Sequence, residues 1–563
     1  MDNKTGYWPA HLPRSLPRIE TTLPFSLRVT AARYGSRPAI GFFGRDMTWR
    51  DVEREVEAFA GWLRRRAGLV RGDRVALFMQ NSPQWLIAYY GVLRADLVAV
   101  PVNPMVRAGE LAQILADSGA RAAVAAQDLL PVLRDAAGSG IDLRHIVAVT
   151  YADYLPDAPD FALQDWLLTP ARRHDGCVSW SEAIGAGLTA PAPEATPEDL
   201  ALLPYTSGST GVSKGCEHPH STFMHTAAGL SLWHGQTAAT VFLGLPPMYQ
   251  VSGIGNGLHC PVTSGGMMIP LPRWERGLAL GLIERYRISH LAIAPTACID
   301  LLASPDLAQR DLSSLRRVTA GGAPMPQEVW RRLREVTGLP FIEAYGMTEA
   351  AATTHINPIE RPKPQCLGVA FFDTGVAVVH PETLEDLPPG EPGEILVRGP
   401  QMFRGYWGRP EETAKAFVER DGVRWYRSGD MGYVDEEGYY FMTDRLKRMI
   451  NASGFKVWPA EVETKLYEHP DVLEACVVSQ PHPYRGETVK AVISLKAGRA
   501  GQVSADEITE WARDKMAPYK IPRVVEFVDS LPKSPVGKIL WRELQDREKA
   551  RAAEQPAQGE AAR

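Results

Sequence analysis

Short apolar runs and helix-spaced segments take turns along the first part of the chain, and this alternation restricts the fold more than any other feature. Residues 74–78 (RVALF) read as a buried strand after the turn Arg71-Gly72-Asp73, and 83–93 carry helical apolar spacing. A second strand is expected at 97–102 (LVAVPV), a helix at 111–118 and a third strand at 122–126. Strands that recur at this interval with helices between them need crossover connections, so they line up parallel with helices on their faces. The pattern returns as a helix around 283–285, strands at 290–294 and 315–320, and a helix at 327–336. After Gly390 the texture changes to short strands and turns, GEILVRG and then GYVDEEGYYFM, with a hairpin turn at 435–438.

A smaller unit follows between Trp458 and Leu544: helix 460–467, strands 474–479 and 489–495, helix 505–516, and strand 523–527. The expected fold class is therefore α/β, with a large N-terminal α/β domain of layered sheets plus a β-rich subdomain, and a small α+β C-terminal domain. The main boundary is expected near residues 444–448, giving 1–444 and 448–545 as domains with 445–447 between them. Residues 546–563, rich in Ala, Glu, Gln and Arg without a lasting apolar face, are expected as a frayed helix or disordered tail.

Composition excludes several classes. The 563 residues are 45% hydrophobic and 23% charged, enough for a sizeable core and too apolar for wholesale disorder. Lys+Arg number 61 against 66 Asp+Glu, a net charge of −5, so the basic excess that neutralises nucleic-acid phosphates is missing. The six cysteines are scattered without a CxxC pair, which argues against a disulfide framework or thiolate zinc site and for a reducing cytoplasm. The N-terminal MDNKTGYWPAHLPRS has no apolar core of a secretory signal. The greasiest early stretch, 86–102, is interrupted by Arg94, Asp96 and Pro101, so no transmembrane segment is expected.

The segment YTSGSTGVSKG at 205–215 carries the most chemistry: five Ser/Thr hydroxyls, three glycines and Lys214 in eleven residues. Glycines let the backbone turn tightly and aim N–H groups at an anion, and short hydroxyls add donors, so the loop suits polyphosphate. It is not a Walker A loop, because Ser213 stands where Gly should precede the lysine. His218, His220 and His225 follow without a zinc spacing and read as structural or solvent-facing. Gly253, Gly255 and Gly257 do not form a dinucleotide fingerprint.

Together with GGAP (321–324), AYGMTE (344–349), YRSGDMG (426–432), DRLKRMINASGFKV (444–457) and PKSPVGK (532–538), this loop makes the chain resemble the adenylate-forming superfamily from about residue 27 to 544. That superfamily comprises acyl-CoA synthetases, beetle luciferases and peptide-synthetase adenylation domains. The resemblance implies that a carboxylate attacks the α-phosphate of ATP, giving acyl-AMP and pyrophosphate, and that a thiol then displaces AMP.

By the same resemblance, Thr206, Ser207, Gly208, Ser209, Thr210, Gly211 and Lys214 would hold the β- and γ-phosphates, and Glu349 would ligate Mg²⁺. Thr348 would bond the α-phosphate; Gly322, Ala323 and Pro324 would line an adenine slot with Tyr345 stacked on the ring. Asp430 would accept both ribose hydroxyls and Arg445 would contact ribose and phosphate. Lys538 would bridge the attacking carboxylate and the α-phosphate as the adenylation catalyst. Lys447 matches the family's hinge, about which a mobile small domain swings to present Gly454 to the pantetheine arm of CoA.

The acid-binding region departs from the family pattern. In LPPMYQVSG (245–253), Tyr249 keeps the aromatic, but Gln250 stands where a His is common, and an amide does not titrate near neutrality. No Asp lies between 248 and 257 to hold an amino acid's ammonium group, and Ala344 replaces a common Gly before Tyr345. The texture of GYWGRPEETAKAF is most like fatty-acyl-CoA ligases, so the expected substrate is an aliphatic carboxylic acid, either medium to long chain or short and hydroxylated or branched. A carrier-protein thiol as acceptor and an inactive nucleotide-binding scaffold are the alternatives. The motif around Lys538 also resembles a site for lysine acetyltransferases, whose product would lose the charge.

Overall fold

The structure, a computed structural model, describes residues 6–138, 140–207, 213–322, 325–445, 448–452, 455–482, 486–513, 515–533 and 539–554. The chain divides into a larger unit, Asp2–Gly375 with Val397–Tyr426, and a smaller one, Val376–Leu396 with Arg427–Arg563. In this division residues 444–448 fall inside the smaller unit.

Two mainly parallel sheets build the larger unit. In the nine-stranded sheet, strands Phe341–Tyr345, Arg317–Gly321, His290–Ala292, Val241–Gly244, Met267–Pro270 and Pro38–Phe42 lie side by side in parallel. Antiparallel strands close both edges, His355–Ile356 and Val369–Ala370 on one side and Arg45–Thr48 on the other. The seven-stranded sheet has Arg74–Phe78 between Val98–Pro101 and Ala120–Ala126, in parallel, as the alternation requires.

Helix Pro83–Arg94 is buried on every side from Pro83 to Leu93, which is why its sequence is apolar nearly all round. Its Trp85, Tyr89 and Tyr90 have no exposure, and fully burying a large apolar side chain is worth about 1.5–3 kcal/mol. Helix Trp49–Gly61 starts at a capping box: Asp51 N–H donates to Thr48 Oγ1 at 3.2 Å and Thr48 N–H donates to Asp51 Oδ2 at 3.1 Å. The helix expected around 283–285 spans Arg276–Tyr286, its start set by Glu275 accepting from Gly277 and Leu278 N–H.

In the smaller unit, Val472–His482 and Gly486–Leu495 form a long antiparallel pair, with Val524–Phe527 parallel to the latter. Helix Trp541–Glu554 packs with them, so residues 546–554, expected as a frayed helix or disordered tail, belong to a packed helix. A charge anchors this helix: buried Glu548 meets buried Lys490 at 2.8 Å. An apolar-stripe criterion cannot see such an anchor. No helix among the described residues is long and apolar enough to cross a membrane.

Candidate active site

Parallel strands gather their carboxyl ends on one edge of a sheet, and ligands of such sheets bind outside that edge. Several expected residues lie there. Gly322 follows strand Arg317–Gly321 with φ of 88°, a backbone conformation that a side chain would strain. Ala344 and Tyr345 end the neighbouring strand, and Tyr345 is buried with its ring 5.5 Å from that of His355. Val241–Gly244 leads into the turn that carries Tyr249 and Gln250.

The 205–215 segment rises from an antiparallel pair, Tyr205–Ser207 with Ser213–Gly215, in which Lys214 faces Thr206. Lys214 therefore stands on a strand, not at the start of a helix as in a Walker A loop. Its ammonium pairs with Glu412 and lies 5.0 Å from the centre of the Tyr406 ring. The stem of the loop is tied down by Asp117, which accepts from the Tyr205 hydroxyl at 2.7 Å and from Arg409 Nη2 at 2.8 Å. Trp407 N–H donates to Gly215 O at 2.8 Å, and its indole donates to Asp117 O at 3.1 Å. Residues 208–212, with Gly208, Ser209, Thr210 and Gly211, lie outside the described residues, as does the side chain of Ser207.

Glu349 sits in a short 3-10 turn, Thr348–Ala350. The Tyr406 hydroxyl donates to Glu349 Oε1 at 2.9 Å, and Phe403 N–H donates to Glu349 O at 2.8 Å. Burial and the charge of Glu349 push the Tyr406 phenol well above its ordinary range, so it stays a donor. Buried His218 donates from Nε2 to Thr348 O at 2.7 Å; burial pulls its imidazole down to about 4, which keeps it neutral. Ala351 and Ala352 have φ of 44° and 90°, and a Cβ on Gly346 would fall 1.3 Å from Ala352 O. Strain of this kind concentrates beside functional groups.

A lone carboxylate of this sort fits Mg²⁺, which takes one or two protein carboxylates and completes its shell with water and substrate phosphates. No group of three or more His, Cys, Asp or Glu suited to a metal occurs among the described residues.

The turn that carries Tyr249 and Gln250 is shaped by Asn81. Its amide donates to Gly244 O at 2.9 Å and Pro246 O at 3.1 Å, and its Oδ1 accepts from Met248 N–H at 2.8 Å. Gly253 must be glycine, because a Cβ would lie 2.0 Å from Pro247 O. Tyr249 and Gln250 are half-buried, and burial pushes the Tyr249 phenol up to about 12. His220 and His259 are buried; Tyr89 OH and His259 Nε2 lie 2.8 Å apart. His218, His220 and His225 are thus structural and not solvent-facing.

In the smaller unit, Asp430 is buried and in register with Arg445 across an antiparallel pair. Its N–H donates to Ser428 Oγ at 3.1 Å, and that hydroxyl donates to Ile395 O at 2.6 Å. Ala323, Pro324, Lys447, Gly454 and Lys538 lie outside the described residues, as does the side chain of Arg445.

Several site-building residues escaped the sequence reading. Tyr406 and Glu412 stand in the GYWGRPEETAKAF segment, which reads only as family texture, and Asp117 and Asn81 carry no motif. Glu343 is a further case: its buried carboxylate accepts from Met325 N–H at 3.0 Å and Cys366 N–H at 3.4 Å, and burial raises it to about 7. Met325 directly follows GGAP, so Glu343 holds the backbone just after that segment.

Comparison with known proteins places the chain in a family. The family model for AMP-binding enzymes matches residues 27–407, and that for the AMP-binding enzyme C-terminal domain matches 461–538. A long-chain-fatty-acid–CoA ligase of Bacillus subtilis is 36% identical over 96% of this chain and 97% of its own. A feruloyl-CoA synthase of Amycolatopsis sp is 33% identical over 96% of this chain and 98% of its own. Among solved structures, the anthranilate CoA ligase AuaEII in complex with anthranoyl-AMP superposes with a TM-score of 0.83 at 28% identity, covering 96% of this chain and 99% of that one. With two family models in order and relatives matched end to end, this chain belongs to the AMP-binding, adenylate-forming enzyme family.

Proposed function

We propose that the enzyme is an AMP-forming acid–CoA ligase that activates an aliphatic carboxylic acid. The observation that carries the reading is the convergence on Tyr406, whose ring faces Lys214 and whose hydroxyl holds Glu349. One side chain thus registers the phosphate-loop cation against the carboxylate suited to Mg²⁺. Thr206 and Lys214 would bind the leaving β- and γ-phosphates, and Thr348 the α-phosphate. Bound at Glu349, Mg²⁺ would supply charge neutralisation for the phosphates.

Gly322, Ala323, Pro324 and Tyr345 would hold adenine, and Asp430 and Arg445 the ribose. Tyr249, Gln250 and Ala344 would flank the acid, where the Gln250 amide orients the carboxylate without exchanging a proton. Lys538 would stabilise charge developing between that carboxylate and the α-phosphate. The Lys447 hinge would then remove Lys538 and bring Gly454 to the thiol of CoA. Acetylation of Lys538 would abolish its charge and with it the first half-reaction.

The aliphatic choice rests on the relative of Bacillus subtilis, the most similar sequence named above. An aromatic acid is the second reading, favoured by the feruloyl-CoA synthase and by the anthranilate ligase. The test is AMP release from ATP and Mg²⁺ with acids from acetate and hydroxylated C4 acids to palmitate, and with benzoate and ferulate, each with and without CoA. Release that needs both CoA and an aliphatic acid is expected. Preference for benzoate or ferulate by a wide margin would replace the substrate, and pyrophosphate exchange without CoA-dependent turnover would replace CoA by a carrier-protein thiol. In the same assay Lys538→Ala is expected to slow adenylate formation by about a hundredfold or more.

A further inference from the structure

Lys214 stands at the phosphate loop and already owns an anion. Its side chain is 13% exposed, that of Glu412 is 34% exposed, and the two form an ion pair. The hydrogen bond from Lys214 holds the Glu412 carboxyl below its ordinary range. Glu412 is itself steadied by Arg409, whose Nη1 lies 3.6 Å from Glu412 Oε1 while its Nη2 holds Asp117 at the base of the loop. The pair is therefore fixed to the same frame as the loop stem, and does not arise from two long side chains meeting by chance at a surface.

An ammonium largely withdrawn from water needs an anion beside it. In this site two are on offer in turn: the Glu412 carboxylate and a phosphate oxygen. The Tyr406 ring covers another side of the ammonium, which limits the directions from which an anion can approach.

We propose that Glu412 is a resident counter-ion of Lys214 that competes with the polyphosphate and weakens the hold on pyrophosphate once the adenylate has formed. This rests on the reading that Lys214 binds the β- and γ-phosphates. The enzyme gives up some affinity for the incoming nucleotide, and in exchange Lys214 has a partner to return to when pyrophosphate departs. Glu412 acts through Lys214 and is a positioning residue.

The test is calorimetric titration of the full-length protein with pyrophosphate and Mg²⁺, comparing wild type with Glu412→Gln, Glu412→Met and Glu411→Gln. Glu411 lies on the same short helix, Pro410–Ala416, and is exposed, so its loss changes net charge equally. Both Glu412 variants are expected to tighten pyrophosphate binding by about threefold or more, as a removed ion-pair competitor should, and Glu411→Gln to change it by less. A damaged fold cannot mimic a gain in affinity. No gain in either Glu412 variant, or an equal gain in Glu411→Gln, overturns the proposal. Lys214→Ala separates the underlying readings. If it binds pyrophosphate as wild type does, the phosphate role of Lys214 is wrong and the proposal falls with it. If it weakens binding while the Glu412 variants fail to tighten it, the counter-ion role alone is wrong.

Discussion

In the larger unit, His218, His220, His259, His290 and His355 are all but fully buried, whereas in the smaller unit the deeply buried polar groups include the ion pair of Lys490 with Glu548. Burial pulls the first two imidazoles down to about 4 and the other three to about 3, so each is neutral inside the fold. The smaller unit instead matches charge with charge: Lys490 and Arg551 both pair with Glu526, whose carboxyl they hold at about 2. Neutral imidazoles tolerate a low-dielectric interior as long as they stay unprotonated, while an ion network tolerates it as long as both signs persist. The two units should therefore fail at different pH.

Acid should produce the largest effect. A buried imidazole with a depressed pKa leaves the unfolded chain binding more protons, so its contribution is complete above about 6.5 and is lost as pH falls toward 4. The Glu526 network is complete above about 4.5 and is lost as pH falls toward 2. Glu343, raised to about 7, opposes the histidines, since its contribution fades as pH rises from 4.5 toward 7. Carboxyls such as Glu55 and Asp128 that burial also raises act in the same direction, whereas His225 and His234 add to the imidazoles that burial pulls down. Acid titration followed by hydrogen exchange resolved by peptide should show the larger unit opening first, between about pH 6.5 and 4. Simultaneous opening of both units would break the contrast.

A smaller but still severe effect is expected from Lys490→Met, which removes the buried cation of Glu548 and leaves that carboxylate only the half-exposed Arg551 as a partner. Breaking one side of a buried pair costs about 3–5 kcal/mol, so denaturant unfolding should show early loss of the smaller unit while the larger unit's midpoint stays put. A shift of both midpoints together would mean that the units share one cooperative transition. Smallest of all should be Tyr406→Phe, which keeps the ring beside Lys214 but removes the donor to Glu349. Losing a hydrogen bond to a charged group is worth about 1.5–3 kcal/mol, read as a raised Mg²⁺ requirement for pyrophosphate exchange with an unchanged acid-unfolding profile.

Legibility followed the kind of interaction. Strand Arg74–Phe78 was readable to its ends because a buried parallel strand is a short apolar run between turns. Helix Trp541–Glu554 was not, since its anchor is Glu548 meeting Lys490, fifty-eight residues back along the chain. The same division runs through the site. Lys214, Glu349 and Gly322 stand in motifs, and the structure brings Lys214 and Glu349 to one tyrosine. That tyrosine went unseen, as did Asn81 holding the turn before Tyr249.

What the amino-acid order alone determined is the α/β class, the chain order of the adenylate-forming motifs and the residue types on offer for phosphate, metal and acid. These depend on local periodicity and on functional groups at short spacing, which any window of sequence displays. Only the tertiary structure decided that Glu412 would claim Lys214, that Tyr406 would join it to Glu349, and that Glu343 would hold the backbone at Met325. Those pairings form between residues far apart in the chain. Their energies depend on burial and distance, and neither quantity exists until the sheets have closed around them.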